Sequence, residues 1–568
     1  MKNAYLKKFL YTYKKQIFFS FLLGLISSAF LLVMPYFSKL FIDKAFINRS
    51  LDKFINLSIW GAGIFIFSTL VKAAGDILKN KMSIKLKLNL ADKFIRKFYR
   101  LDFEFLQSRS VGESVFRFSD TDTSVNFILE QCPQILLDIV KLPIILGVCL
   151  WINTQMTLLL LILSPLFLLH SLYLQKKLKP IYEEIWKFSA RLSKEVYEAF
   201  SRMLIIKVFG LESFQRRRYF KSFIENIRWG IRGFRWGIIS SLTSSFLSKA
   251  VYGGVTLYGG WMIIKGDLTI GSYTAIMLYL TQLGGLLDSL SHRFEFFVKE
   301  MVSLNRFLEI IEIEPKIKDS PSAKALSSLR GRIIFEDVKF GYENGKIIFP
   351  CLNAAMPPAS WIAIAGPSGC GKTTLVNLIL RLYEPKEGKI TLDGQDLKNI
   401  KLGSLREKIS IATQEPFLFD VSIKENIAYG LNNITQGLIA EAARLASVEE
   451  FILQLPEQYD TLVGENAFRL SQGLKQRISI ARAVLRNPDL LILDEATSSV
   501  DLLTEEKIYR ALREKRKGLS TIVISHRLFS IKDADRIYFL SPEGKIAEGT
   551  HEELLSRDGL YKELFLSL

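Results

Sequence analysis

The stretch Trp361-Ile-Ala-Ile-Ala365-Gly366-Pro367-Ser368-Gly369-Cys370-Gly371-Lys372-Thr373-Thr374 decides the fold of the half of the chain in which it lies. The apolar run Trp361 to Ala365 predicts a buried strand, the glycine-rich run a tight loop, and Leu375 to Leu382 a helix. A G-x-x-x-x-G-K-[ST] pattern between strand and helix is a phosphate-binding loop, and that context argues against a merely structural glycine turn. Glycines let backbone N–H groups close around phosphate oxygens, and the helix N-terminus adds positive potential. Lys372 is suited to reach the β and γ phosphates of a nucleoside triphosphate, and Thr373 to ligate Mg²⁺.

Further along, the apolar run Leu490 to Leu493 ends in Asp494-Glu495, a second buried strand delivering two carboxylates towards the same phosphates. Asp494 suits Mg²⁺, directly or through water, and Glu495 suits polarisation of an attacking water. Alone, an apolar run ending in Asp-Glu is a weak signal. Placed after the phosphate loop and followed by Ala-Thr-Ser-Ser-Val-Asp501, it is a strong one. On the N-terminal side, 313–330 carries Pro315, Pro321, Ser and Lys and reads as a polar linker, so an α/β domain is expected over 331–568.

The preceding residues, 1–312, are of another kind. The chain has 568 residues, 49% of them hydrophobic, and a mean hydropathy of +0.20. Apolar stretches of spanning length fall at 17–42, 54–78, 131–152, 156–175, 236–264 and 271–292. Six spans put both ends of the region on one side. The segment Lys79 to Arg100 holds Lys81, Lys85, Lys87, Lys93, Arg96 and Lys97, and 176–235 holds Arg216, Arg217 and Arg218, so these sides are cytoplasmic. Ile181, Ile185, Phe188, Leu192 and Val196 keep helical spacing, which predicts helices continuing well past the bilayer.

The net charge of +18 lies largely beside apolar runs, so anionic lipid headgroups rather than nucleic acid are the expected partner. The first apolar run is long and lacks a small-residue cleavage site, so it is expected to remain as the first span. Cys132, Cys149, Cys351 and Cys370 have no metal-like spacing and read as reduced thiols. Lys249, Lys141, Asp138 and His170 fall inside spans, where a lone charge costs a few kcal/mol unless paired or wet. Lys249 and Lys141 are candidates for a water-filled substrate cavity, although Asp138 and Lys141, three apart on one helical face, also suit each other.

Taken together, these motifs resemble the ATP-binding cassette superfamily, specifically exporter-type half-transporters, over essentially the whole chain. The resemblance implies an all-α six-helix transmembrane domain with long cytoplasmic helical extensions, followed by an α/β ATPase domain that uses ATP and Mg²⁺. It implies ATP-binding roles for Tyr342, as the aromatic stacked on adenine, and for Gly366 to Thr374. Gln414, in Ala412-Thr-Gln-Glu-Pro416, is similar to the glutamine that senses Mg²⁺; His526, in Val523-Ile-Ser-His526-Arg, to the switch histidine; and Asp501 to the loop crossing the dimer interface. Gly112 to Arg117 with Asp120 and Asp122, and Ile206 to Glu212, resemble two short transverse coupling helices.

The family signature Leu-Ser-Gly-Gly-Gln reads here Leu470-Ser471-Gln472-Gly473-Leu474. Ser471, Gln472 and Gly473 would act on ATP held by the opposing subunit. Gln472 adds a side chain where backbone should approach phosphate, and Leu474 removes a polar group, so that opposing site is expected to be impaired. Upstream, Thr461-Leu-Val-Gly-Glu465 resembles a cross-talk segment, with Asn466-Ala467 departing from it. With Glu495, Gln414 and His526 intact, a heterodimer is favoured over a homodimer. The expected function is ATP-driven export of a hydrophobic or amphipathic substrate, lipid or drug-like, across a bacterial inner membrane, with both termini cytoplasmic. The alternatives are a peptide exporter half, to which the lack of a preceding protease domain gives less weight, and a low-turnover ATP-regulated scaffold or channel.

Overall fold

Six long helices built from the expected apolar runs form the first of two units into which the chain divides. The structure, a computed structural model, describes residues 11–107, 111–342, 345, 347–464, 470–557 and 559–566. The first unit comprises Met1–Leu101 and Gln107–Glu314, the second Asp102–Leu106 and Pro315–Leu568.

In the first unit the helix Lys14–Phe41 runs on through a π-helical turn, Ile42–Phe46, and the helix Leu51–Phe98 follows. Val111–Asn126, the π-helical turn Phe127–Gln131 and Cys132–Ile152 make one continuous rod. Three further helices, Thr154–Ser201, Glu212–Lys265 and Ile270–Glu312, are each far longer than a bilayer requires. Among the described residues, three helices meet the length and apolarity needed to cross a membrane, at Lys14–Phe46, Leu51–Phe98 and Arg117–Ile152. The other three expected spans lie inside the last three helices.

Local chemistry sets the turns. Asn153 caps the helix that follows it, its Oδ1 accepting from the Met156 N–H at 2.9 Å, and Thr269 does the same for Ser272 at 3.1 Å. Asp43 accepts from the Gly271 N–H (2.9 Å) and the Thr269 hydroxyl (2.8 Å), tying the first rod to the start of the last helix. The stripe Ile181/Ile185 packs against Gly233 of the neighbouring long helix, as its spacing predicts. Leu31, Trp60, Phe65, Trp151 and Leu257 point outward and exposed, a surface that only a bilayer or a partner makes favourable.

The first short helix differs from expectation. Gly112 to Arg117 lie in the rod that begins at Val111, and the short helix is Phe103–Gln107, just upstream. The pattern at 112–122 keeps a helical period into the next span, so no break falls there. The second short helix, Met203–Val208, overlaps the expected Ile206 to Glu212.

The second unit is an α/β cassette. Its six-stranded sheet has the order β10-β9-β3-β8-β7-β6, formed by Ile409–Ala412 (β6), Leu490–Asp494 (β7), Ser520–Ile524 (β8), Trp361–Ala365 (β3), Arg536–Leu540 (β9) and Ile546–Gly549 (β10). All neighbours are parallel except β10. β3, β7 and β8 are buried along their whole length, which is why their sequences read as unbroken apolar runs. A smaller antiparallel sheet joins β2 (Ile347–Met356), β1 (Ile333–Gly341), β4 (Glu387–Leu392) and β5 (Gln395–Asp396).

Of residues 313–330, expected as linker, those from Pro315 on are strapped to this unit. The Leu326 N–H donates to Ser404 Oγ (3.0 Å), the Leu329 N–H donates to the Asp489 carboxylate (3.0 Å), and both leucine side chains are buried. The same unit takes in Asp102–Leu106. The Asp102 carboxylate accepts from the N–H groups of Lys316 (2.8 Å) and Ile317 (3.1 Å), and the Phe103 ring meets Tyr383 edge-on.

Candidate functional site

The phosphate loop leaves β3 and turns into the helix Lys372–Ile379. Gly371 has φ +107°, and a Cβ there would collide with Ile348 and the Phe349 ring. Gly369, at φ +80°, has no atom within 4 Å of the place a Cβ would take, so the inside of the loop is an open cradle. Lys372 is 7% exposed, and its ammonium donates to the carbonyls of Gly366 (2.8 Å) and Pro367 (3.0 Å). Thr373 is exposed on the first turn. Thr374 is buried beside it, and its hydroxyl shares a 2.9 Å hydrogen bond with the Tyr342 hydroxyl. The Tyr342 ring is set edge-on against Phe340 and Tyr383, which fixes it beside the base of the loop.

Asp494 ends β7 at 7% exposure, and burial pushes its carboxyl up to about 6, with the adjacent Glu495 adding to the rise and Lys372 opposing it. Glu495 has the left-handed backbone conformation, φ +47°, rare for a residue with a side chain. Its N–H donates to the Ile524 carbonyl at 3.0 Å. Its carboxylate is gripped on both oxygens: Gln414 Nε2 donates to Oε2 at 2.6 Å and His526 Nε2 lies 2.7 Å from Oε1. The three residues singled out from three distant motifs thus meet at one carboxylate.

The cradle fits a nucleoside triphosphate with Mg²⁺. Gly369 leaves room for phosphate, Lys372 supplies a fixed cation, and Thr373 and Asp494 supply the hydroxyl and carboxylate oxygens that Mg²⁺ prefers.

The altered signature opens the helix Gln472–Leu485. Ser471 is its cap, accepting from the Leu474 N–H at 3.3 Å, and Gln472 is exposed on its first turn. Leu474 is buried in the cassette core with Ile478 and Ala481, so it takes no polar group from the outer surface. Of the two departures, only Gln472 faces outward. Asp501 caps the helix Leu502–Lys515 by accepting from the Thr504 N–H (2.9 Å), which holds its carboxyl below the usual range. Of the cross-talk segment, Glu465, Asn466 and Ala467 lie outside the described residues.

Sequence reasoning missed Gln476, Ser498, Arg527 and Glu505, which brace these groups. One signal was available: Gln476 and Glu505 are polar residues on apolar helix faces.

In the membrane unit, Asp138 is 1% exposed and faces two cations, Arg293 at 3.2 Å and Lys141 at 3.9 Å, with Ser289 Oγ donating to it at 3.2 Å. His170 is satisfied by the Thr243 hydroxyl. Lys249 is exposed and stands apart from that group.

Residues 17–287 match the ABC transporter transmembrane region family and residues 351–498 the ABC transporter family. A fatty acid ABC transporter ATP-binding/permease protein of Mycobacterium bovis is 34% identical over 86% of this chain and 77% of its own length. A putative multidrug export ATP-binding/permease protein, YgaD of Bacillus subtilis, is 30% identical over 98% of both. Among solved structures, a bacterial Atm1-family ABC exporter with ATP bound superposes with a TM-score of 0.85 at 26% identity, covering 98% of this chain and 99% of that one.

Proposed function

This chain belongs to the ABC transporter family as an exporter whose transmembrane region is fused to an ATPase domain that couples ATP hydrolysis to transport, and from that premise we propose its site roles, substrate class and assembly.

The grip of Gln414 and His526 on Glu495 is the observation that carries the assignment of the hydrolytic site. Glu495 polarises the attacking water. His526 holds that carboxylate in place and lies ready to contact the γ phosphate, and Gln414 reports the state of the site through its side chain. Lys372 and the loop amides hold the β and γ phosphates, and Tyr342 flanks the adenine. Mg²⁺, when bound by Thr373, Asp494 and Gln414, neutralises charge developing on the phosphates. Loss of the γ phosphate on hydrolysis changes the relative stability of closed and open cassettes, and that difference drives the spans between their two orientations.

Ser471, Gln472 and Gly473 act on ATP held by a second half-transporter. The outward Gln472 side chain stands at the helix N-terminus that should approach that γ phosphate, which supports a heterodimer in which the other chain contributes the better signature.

The substrate is a hydrophobic or amphipathic molecule, with a lipid-like anion favoured. Asp138 is buried and faces two cations, Lys141 and Arg293, and cationic groups beside a span of this kind support an anionic headgroup as substrate. The named substrate of the mycobacterial relative, a fatty acid, is an anion of this kind. The basic segments Lys79 to Arg100 and 176–235 support cytoplasmic termini and an inner-membrane location.

The test is Mg-ATP hydrolysis by the chain alone in lipid nanodiscs, with Glu495→Gln as background. Negligible turnover rescued by Gln472→Gly supports the heterodimer. Full turnover without rescue shows a working homodimer and removes that part of the proposal.

A further inference from the structure

The loop from Glu495 to Asp501 connects this chain's own hydrolytic carboxylate to the residue expected at the dimer interface, and one buried side chain holds it. Gln476, 1% exposed on the helix Gln472–Leu485, uses its carboxamide in three directions. Its Nε2 donates to the backbone carbonyl of Gln414 (3.1 Å) and to Ser498 Oγ (2.8 Å), and its Oε1 accepts from the Ser499 N–H (2.9 Å). The same helix meets the loop again at Gly473, where a Cβ would come within 2.7 Å of the Ser499 carbonyl oxygen. A buried amide with three bonds resists displacement, because any shift leaves desolvated groups unpaired.

Both ends of this tie lead to Glu495. The Gln414 side chain donates to its carboxylate, and the Ser498 N–H donates to its backbone carbonyl at 3.1 Å. Glu495 itself holds a backbone conformation that persists only when its surroundings enforce it. We propose that Gln476 is a positioning residue for ATP hydrolysis: it registers the Gln414 segment and the Ser498–Ser499 segment to the helix that begins beside Ser471. The tie matters to catalysis only if Glu495 polarises the attacking water, as proposed above.

The experiment uses the full chain in nanodiscs carrying Gln472→Gly, the form expected to turn over by itself. Gln476→Ala removes all three bonds; Gln476→Glu keeps an acceptor for Ser499 and loses both donors. Initial rates give kcat and KM for Mg-ATP, and a fluorescent ATP analogue reports nucleotide affinity. The expected result is a fall in kcat of roughly tenfold or more for both variants, the size that small misplacements of reacting groups produce, with analogue affinity unchanged. In that chain with Ser498→Ala added, Gln476→Ala should cost less than it does alone. Unchanged kcat overturns the proposal, as does a fall in kcat matched by equal losses of analogue binding and thermal stability. Hydrolysis by Glu495→Gln at the unmodified rate would instead overturn the role of Glu495, a separate failure.

Discussion

Arg527, the residue after His526, forms an ion pair with Glu505, whose side chain is completely buried. The same guanidinium donates to the carbonyls of Ser498 (2.8 Å) and Val500 (3.0 Å), so it braces the loop that Gln476 also holds. Thr497 and Ser530 hydroxyls, each 2.8 Å from the Glu505 carboxylate, complete its hydrogen bonding.

Removing one member of that pair should therefore be costly. Arg527→Ala leaves a buried carboxylate without its cation and is expected to destabilise the cassette by roughly 3–5 kcal/mol, as breaking buried pairs does. Replacing both, as Arg527→Met with Glu505→Gln, should recover part of the loss. Thermal denaturation of the purified chain, followed by retained binding of a fluorescent ATP analogue, distinguishes the two variants.

His526→Ala takes away one of the two groups that hold the Glu495 carboxylate. ATP binding should persist, because the phosphate loop is untouched, while hydrolysis falls about a hundredfold or more. Equal losses in analogue affinity and turnover would contradict this division of labour.

Asp494 gives a pH dependence whose sign can be worked out. Its carboxyl is raised to about 6, so the folded protein favours the protonated form relative to an ordinary aspartate. In the absence of Mg²⁺ its contribution to stability is greatest below the ordinary aspartate range and is lost as pH rises through about 6. Protons therefore compete with Mg²⁺ below that value. The Mg²⁺ concentration giving half-maximal hydrolysis should rise up to about tenfold per pH unit below 6 and level off above it. Asp494→Asn, measured by metal-dependent quenching of a bound ATP analogue, should lose the dependence.

Gly473→Ala should fail where Gln472→Gly is tolerated. A methyl at 473 presses on the Ser499 carbonyl, a backbone atom that cannot rotate away, at an expected cost of about 1–3 kcal/mol. Position 472 is exposed, so its replacement should leave the melting temperature nearly unchanged. Differential scanning fluorimetry of both variants checks the contrast.

Sequence reading reached the phosphate loop and the strand ending in Asp494 and Glu495 because each is encoded within a short window of apolar run, turn and reactive side chain, whereas Gln414 and His526 came from the family resemblance. From the resemblance it placed the first short helix at Gly112 to Arg117 instead of Phe103–Gln107, whose neighbourhood is held by Lys316, Ile317 and Tyr383, partners far along the chain. It assigned Leu474 to the phosphate-facing surface, whereas its direction on the helix takes it into the core. The role of Gln476 was not legible. Its place on the apolar face of its helix marks it as buried, but its three partners come from two loops distant in sequence and are not encoded near it.

Asp102–Leu106 belongs to the cassette by its contacts, although it is synthesised long before the rest of that unit. During translation these residues emerge first and have no docking surface until Lys316, Ile317 and Tyr383 have been made and folded. Maturation of the cassette is therefore ordered: Asp102 and Phe103 stay in water until Lys316, Ile317 and Tyr383 fold onto them. A cassette expressed by itself lacks that segment, and a chain truncated before residue 315 leaves it without its docking surface.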